Sequence, residues 1–413
     1  MDNITHQGAA LSGIRIIDLT TIVFGPYATQ TLADYGADVI KVESPEGDGT
    51  RYNGPAPEHG MSSMFLGSNR GKRSVVLDLK SEAGRQALLA LCDSADVFVH
   101  NMRPQKLERM GLGSEVLRAR NPRLIFVALL GFGSDGPYAG TPAYDDIIQA
   151  LSGTADLMQR ATGKAGYMPT VMADKVAAQM AAHAMLAALF QRERTGRGQA
   201  VEVPMFEAVT SFVLVEHLYG GHWRPKQDFL PDSAEELGYP RLFAAWRCPY
   251  KTADSYACVM PYTNENWRRF FHAINREDLL RDSRFQSIAG RTEHVEELLR
   301  IVGSVVVSES TEYWLRLCRK LDIPCSPVNR LEDLETDPHL SAVGFFQSLP
   351  LNSGSGEEFR FPRFALRLSD SRVTPSPPPR LGQHSEEVLS SLGLSDAVLA
   401  EVLLHSRDHY GFD

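Results

Sequence analysis

The sequence predicts an α/β protein: a large, doubly wound, Rossmann-like domain with a second, smaller α+β domain. From Gly13 to Val203, short apolar strand-like runs alternate with helix-like runs at the spacing of βαβ units, which favours a mostly parallel sheet covered by helices on both faces. This pattern breaks at an irregular stretch over 220–239 and changes character from residue 240 onward. The 413 residues suffice for two domains with sizeable cores. The expected organisation is therefore a large domain over 1–219, a linker over 220–239, a small α+β domain over 240–328, and a return segment over 329–413.

Each element has a local reason. Gly13 to Leu19 is a short apolar strand; Pro26 then stands where the first turn of a helix tolerates it, and Gly36 ends that helix. Asp38 to Glu43 is the second strand. The polar stretch from Ser44 to Gly60 is long for a connection inside a compact unit and is expected to line a site. Strands follow at Ser74–Leu79, Asp96–His100 and Leu124–Leu130, with helices from Ser81 to Cys92 and ahead of Gly111. Tyr144 to Leu151 reads as a helix, and a long Ala/Met/Leu-rich helix follows Asp174. The Arg194–Gln199 turn leads into a sixth strand at Ala200–Val203. In the small domain, Trp267 and Trp314 sit on amphipathic helices and read as packing residues. Ligands gather at the carboxyl ends of parallel strands, which here are Thr20–Gly25, Glu43, Asn101–Arg103 and the glycine run at 131–136.

Composition narrows the function. There are 42 basic and 51 acidic residues, net charge −9, so a general attraction to nucleic acid or anionic membranes is not expected. No apolar run reaches the roughly 18 residues of a spanning helix, and the N-terminus lacks a secretory pattern. The five cysteines form no CxxC pair, which fits a reducing, cytoplasmic setting. The histidines show no HExxH spacing, so no metal is expected. Gly25-Pro26 lacks the three-glycine dinucleotide fingerprint.

Two groups of residues remain as candidates. Asp174, at the mouth of the long helix, reads either as a helix cap or as a nucleophile on a rigid element. Arg70, Lys72, Arg73, Arg103 and Arg109 lie near predicted strand ends; they suit a polyphosphate such as the nucleotide of coenzyme A, or are simply solvated.

With those residues in hand, the chain resembles the class III (CaiB/BaiF-type) coenzyme A transferases over nearly its whole length. The resemblance is carried by Leu11–Pro26, Gly36–Glu43, Asn69–Asp78, Arg109-Met110-Gly111, Gly131–Pro137, Tyr144–Gly153, Asp174–Met205, Ile323–Val328 and Leu381–His384, in that order. It implies an acyl-CoA:carboxylate CoA-transferase with Asp174 as the nucleophile, Tyr144 lining its pocket and Asp145 as a second carboxylate. It implies coenzyme A contacts at Val23, Lys72, Arg73, Asn101, Met102 and Arg109, with Arg103 an added local candidate. The coenzyme A thioester is then substrate, and no cofactor is bound permanently. An interlocked homodimer is also implied, with 220–238 and 370–380 as the linkers. Val23 stands where the formyl-CoA transferase branch has glutamine, and the four-glycine run of that branch is absent, which goes against an oxalate-specific role. Two alternatives remain. One is an alpha-methylacyl-CoA racemase, disfavoured because Tyr144 fills the place of a required histidine; the other is a non-catalytic CoA-binding paralogue, disfavoured by the retained Asp174. Donor and acceptor acids are left open, with a dicarboxylate such as succinate as one donor.

Overall fold

The computed structural model describes residues 8–223, 237–351 and 357–407. Six parallel strands, β1 (Arg15–Leu19), β2 (Asp38–Glu43), β3 (Lys72–Val76), β4 (Val97–His100), β5 (Ile125–Leu130) and β6 (Ala200–Pro204), form one sheet in the order β3-β2-β1-β4-β5-β6. The central strands β1, β4 and β5 are short and apolar because both sheet faces are covered there: Ile16, Ile17, Val97, Phe98, Val99, Ile125 and Val127 are all buried. Chain order reverses between β1 and β4, which leaves a crevice at their carboxyl ends.

By contacts the chain divides into two compact units. The first comprises Met1–Ser152, Pro169–Phe212 and Ala342–Asp413, and the second Gly153–Met168 and Val213–Ser341. The division differs from the expected one in taking 153–168, 213–219 and 329–341 into the second unit. The Thr154–Thr162 helix packs there against Pro240–Phe243, with the Arg160 guanidinium over the Phe243 ring at 5.7 Å. Helical periodicity marks a buried face but does not say against which core it is buried. Of the expected linker, 224–236 lies outside the described residues.

The second unit holds a three-stranded antiparallel sheet, β7 (Tyr250–Lys251), β8 (Tyr256–Val259) and β9 (Cys325–Pro327), packed on helices. Trp267 and Trp314 are buried in its core, as the sequence led us to expect. The first unit also carries an antiparallel pair, β10 (Phe346–Pro350) and β11 (Glu358–Pro362), that the sequence reading did not resolve.

The long helix runs from Met172 to Thr195 and is lined with buried alanines, at 173, 177, 178, 181, 182 and 188, which let it approach the Phe24–Ala33 helix closely. It ends at Gly196 with φ of 74°, the left-handed conformation that glycine adopts without a Cβ penalty. Gly198 then passes so close to the Leu124 carbonyl that an added Cβ would stand 2.0 Å from its oxygen.

Beneath the crevice lies a buried ionic network. The Lys72 ammonium donates to Asp18 Oδ2 at 3.0 Å, to the Pro26 carbonyl at 2.9 Å and to Asn69 Oδ1 at 2.9 Å. Lys41 pairs with Asp48 at 2.9 Å and Arg51 with Glu43 at 2.6 Å, all with essentially no exposure. The Ser44–Gly60 stretch therefore serves as an anchor: Asp48 and Arg51 tie it into the core, and none of its residues lines the crevice.

Removing one member of a buried pair leaves an uncompensated charge, at a cost of about 3–5 kcal/mol. Lys72→Met is expected to lower the unfolding free energy, read by urea titration, by that order. Adding Asp18→Leu to the same chain should recover part of the loss. A single variant as stable as the parent would show that this pair does not hold the fold.

Candidate active site

The crevice at the switch point is a cavity of about 510 Å³. Thr21, Ile22 and Phe24 enter it from the β1 loop, Asn101 to Gln105 from the β4 loop, Leu129 to Phe132 from β5, and Asp174 from the long helix. The fold dictates this convergence, since each loop leaves the carboxyl end of a neighbouring strand.

The loop after β1 is held rigidly. Three successive backbone N–H groups are each captured by a side-chain oxygen: Thr20 by Asp18 at 3.0 Å, Thr21 by Asn101 at 3.1 Å and Ile22 by Asp48 at 3.2 Å. Asn101 also donates to the Thr21 carbonyl at 2.9 Å, so its amide clasps the β1 loop across the switch point. Ile22 adopts φ of 74°, an outlier for a β-branched residue that costs about 1–3 kcal/mol and persists only where its surroundings impose it. Its side chain is exposed and lines the cavity.

Asp174 occupies the third position of the Met172–Thr195 helix, whereas Val171 holds the cap position, so Asp174 is not the helix's N-cap. Its backbone N–H, one of the helix's unpaired donors, goes to Asp145 Oδ1 at 3.1 Å. Asp145 begins the Asp145–Leu151 helix and accepts at Oδ2 from Gln149 Nε2 at 2.5 Å. Among the described residues, the Asp174 carboxylate accepts no hydrogen bond, and it borders the cavity.

Burial and then the nearby Asp145 carboxylate push the Asp174 carboxyl from the ordinary 3.8 up to about 7. That rise corresponds to about 4 kcal/mol at 1.36 kcal/mol per pKa unit. The favourable field of a helix N-terminus is worth about 2 kcal/mol at most, so desolvation wins. The result is a carboxylate that is poorly solvated, unpaired and close to ionisation at neutral pH.

The other sequence candidates divide sharply. Tyr144 is exposed at the rim and lines the cavity, as do Asn101, Met102 and Arg103, and Arg103 is the single basic residue among the lining residues. Asp145 is buried just behind Asp174. Val23 is buried, and its neighbour Ile22 faces the cavity instead, because the positive φ turns the loop one residue earlier. Lys72 is consumed by the buried network. Arg73 is the second residue of β3, toward its amino end, and binds Asp38 and Glu387. Arg109 closes the Pro104–Arg109 helix, exposed and outside the lining. Strand-end placement alone did not separate the two ends of a five-residue strand. Ile22, Phe132 and Met205 were not singled out by sequence; the glycine-rich run beside Phe132 was the available signal. In that run, the Gly133 and Ser134 amides are already taken by Glu207 at 2.9 Å and Glu202 at 2.8 Å. No histidine is among the lining residues, and among the described residues no group of three or more His, Cys, Asp or Glu could hold a metal.

A carboxyl with its folded pKa above the unfolded one stabilises the fold at low pH; here that contribution is lost as pH rises from about 4 through about 7. With aspartate labelled at the carboxyl carbon, the Asp174 resonance is expected to titrate near 7, and Asp145→Asn should move it down without restoring the ordinary value, because burial is the larger cause. A titration near 4 in the parent would contradict this description.

Comparison with known proteins identifies the family. The model for CoA-transferase family III matches residues 11–385. An "Acyl-CoA transferase" from Fusarium pseudograminearum is 34% identical, with 96% of this chain and 88% of that protein covered. A "Succinate--glutarate CoA-transferase" from Agrobacterium fabrum is 31% identical, with 95% and 98% covered. A probable fatty acyl-CoA transferase from Mycobacterium tuberculosis is 32% identical, with 94% and 99% covered. The crystal structure of a point mutant of that mycobacterial protein superposes with a TM-score of 0.78 at 28% identity, covering 91% of this chain and 98% of that one. With a doubly wound sheet, a crevice at its switch point and this match along its length, the chain belongs to CoA-transferase family III and is a CoA-transferase, moving CoA between an acyl-CoA and a carboxylate.

Proposed function

We propose that Asp174 carries the transfer through covalent intermediates, with a dicarboxylyl-CoA such as succinyl-CoA as donor. The observation that supports this most directly is the unpaired, half-desolvated carboxylate of Asp174 on the cavity wall. Its oxygen attacks the thioester carbonyl, forming an acyl-aspartyl anhydride and releasing the CoA thiolate. The thiolate attacks the aspartyl carbonyl, giving an aspartyl-CoA thioester and the free donor acid. The acceptor carboxylate attacks that thioester, forming a second anhydride and releasing the thiolate. The thiolate then attacks the acceptor's acyl carbon, giving the new thioester and the original Asp174 carboxylate.

Every step exchanges one carboxylate or thiolate for another, and no proton is gained or lost. A cavity without histidine suits such chemistry and ill suits a racemase, which must remove and return a proton. Burial weakens the solvation of the nucleophile and keeps water from the anhydride.

Arg103 is the candidate contact for the anionic end of a coenzyme A ester or of a dicarboxylyl group. Asn101 supports the site by fixing the loop of Thr21 and Ile22 rather than by offering its amide to the ligand. Met102 and Tyr144 line the path, and Asp145 orients the start of the Asp174 helix. The relative from Agrobacterium supports a dicarboxylate donor. A second reading, an apolar acyl chain, is favoured by Ile22, Phe24, Leu129, Phe132 and Met205 in the lining. A homodimer follows from family membership as a further part of the proposal.

Rapidly quenched protein, mixed with succinyl-CoA or a straight-chain acyl-CoA, should show by intact mass an adduct that maps to the peptide of Asp174. Asp174→Ala should lose the adduct and at least about four orders of magnitude of turnover while retaining CoA binding. The donor that gives the adduct decides between the two readings; turnover unchanged in the variant would exclude Asp174. In the parent, kcat/KM should rise with pH and level above about 7, since the attacking form is the carboxylate.

A further inference from the structure

The first unit carries a second cavity, of about 530 Å³, that shares no lining residue with the crevice. The Phe24–Ala33 helix connects the two places. Phe24 at its start lines the crevice, while Asp34 and Tyr35 just beyond its end line the second cavity. Ten helical residues separate them, about 15 Å.

Its walls are aromatic. Phe364 meets Tyr35 edge to face at 4.9 Å, and the Arg70 guanidinium lies over the Phe361 ring at 5.3 Å. Its charge is one-sided, with Arg70, Arg363, Arg367 and Arg372 against the single acid Asp34. Arg70 is matched by Asp34, its Nε donating to Oδ1 at 3.1 Å. The other three form no ion pair among the described residues. Arg363 donates to the Val343 and Phe364 carbonyls at 3.3 and 3.1 Å, and Arg367 to the Val343 carbonyl at 3.4 Å. These contacts steady the side chains without neutralising them.

Arginines on an acidic protein ordinarily find carboxylates or stand apart in water, whereas here three converge on one concave, ring-walled space. The opposing influence, the negative end of the Phe24–Ala33 helix, amounts to about half a charge. Three planar guanidinium groups match the oxygens of a phosphate chain, and the aromatic wall suits a flat ring. The volume is within the range of small-molecule sites.

We propose that this cavity binds a ring-bearing polyanion of the nucleoside diphosphate or triphosphate class, independently of the Asp174 site. The phosphates lie on Arg363, Arg367 and Arg372, and the ring lies against Phe364 and Tyr35.

The test is calorimetric titration of the full-length protein with ADP and with pyrophosphate. ADP is expected to bind the parent and the crevice variant Arg103→Ala alike, to bind Arg367→Ala/Arg372→Ala at least tenfold more weakly, and to weaken as salt is raised. Both substituted arginines are exposed, so the double variant should fold, and its transferase turnover at saturating substrate should match the parent's. Pyrophosphate should compete with ADP. No ADP binding by the parent, as when a second copy of the chain covers the cavity, overturns the proposal. So does binding that survives the double variant but is lost in Arg103→Ala, which would put ADP in the crevice.

Discussion

Asp145 Oδ1 accepts the backbone N–H of Asp174 at 3.1 Å, and much of the site's character follows from that contact between two buried acidic residues. It satisfies an unpaired donor at the start of a 24-residue helix without a cap residue. It fixes where the helix begins and therefore where the Asp174 side chain enters the cavity. It also sets a negative charge beside a second carboxyl, which adds to burial in raising that carboxyl's pKa. A capping serine would meet the donor equally well but would lack the charge.

The crevice wall after β1 is also held by buried carboxylates. A left-handed isoleucine is costly, and the structure sustains it by capturing three consecutive amides of the β1 loop. Two of the captors, Asp18 and Asp48, are themselves buried partners of Lys72 and Lys41. The buried ion pairs thus act on the cavity indirectly: they hold the carboxylates that hold the loop. In this arrangement residues that resemble phosphate binders by type and position, Lys72 above all, act at one remove from the cavity.

The sheet was legible because a buried parallel strand writes itself as a short apolar run, as β1, β4 and β5 do most clearly, while β2, β3 and β6 mix apolar with charged or polar residues. The crevice lies at the carboxyl ends of the strands, where the sequence placed it, and Asp174 stood out as an isolated carboxylate ahead of an alanine-rich helix. What the sequence concealed depended on geometry without a local signature. Val23 and Ile22 are adjacent and equally apolar, and only a positive φ decides which one faces the cavity. Arg73 and Arg103 are both arginines near strand ends, but β3 places the first at its amino end and β4 the second beyond its carboxyl end. The Ser44–Gly60 stretch is polar because Asp48 and Arg51 are buried against opposite charges, a pairing that composition cannot reveal. The aromatic, arginine-rich cavity joins residues more than 300 positions apart, Asp34 and Arg372 among them, so no window of sequence contains it.

The central claim is that Asp174 gives up and regains a carboxylate oxygen in each turnover. An acceptor acid carrying ¹⁸O in both carboxylate positions tests it directly, with the protein digested after several turnovers in ordinary water. Covalent relay predicts that the peptide containing Asp174 gains about 2 and then about 4 Da as acceptor oxygen becomes aspartyl oxygen, while other acidic peptides stay unlabelled. Turnover that leaves the Asp174 peptide at its original mass would contradict the account.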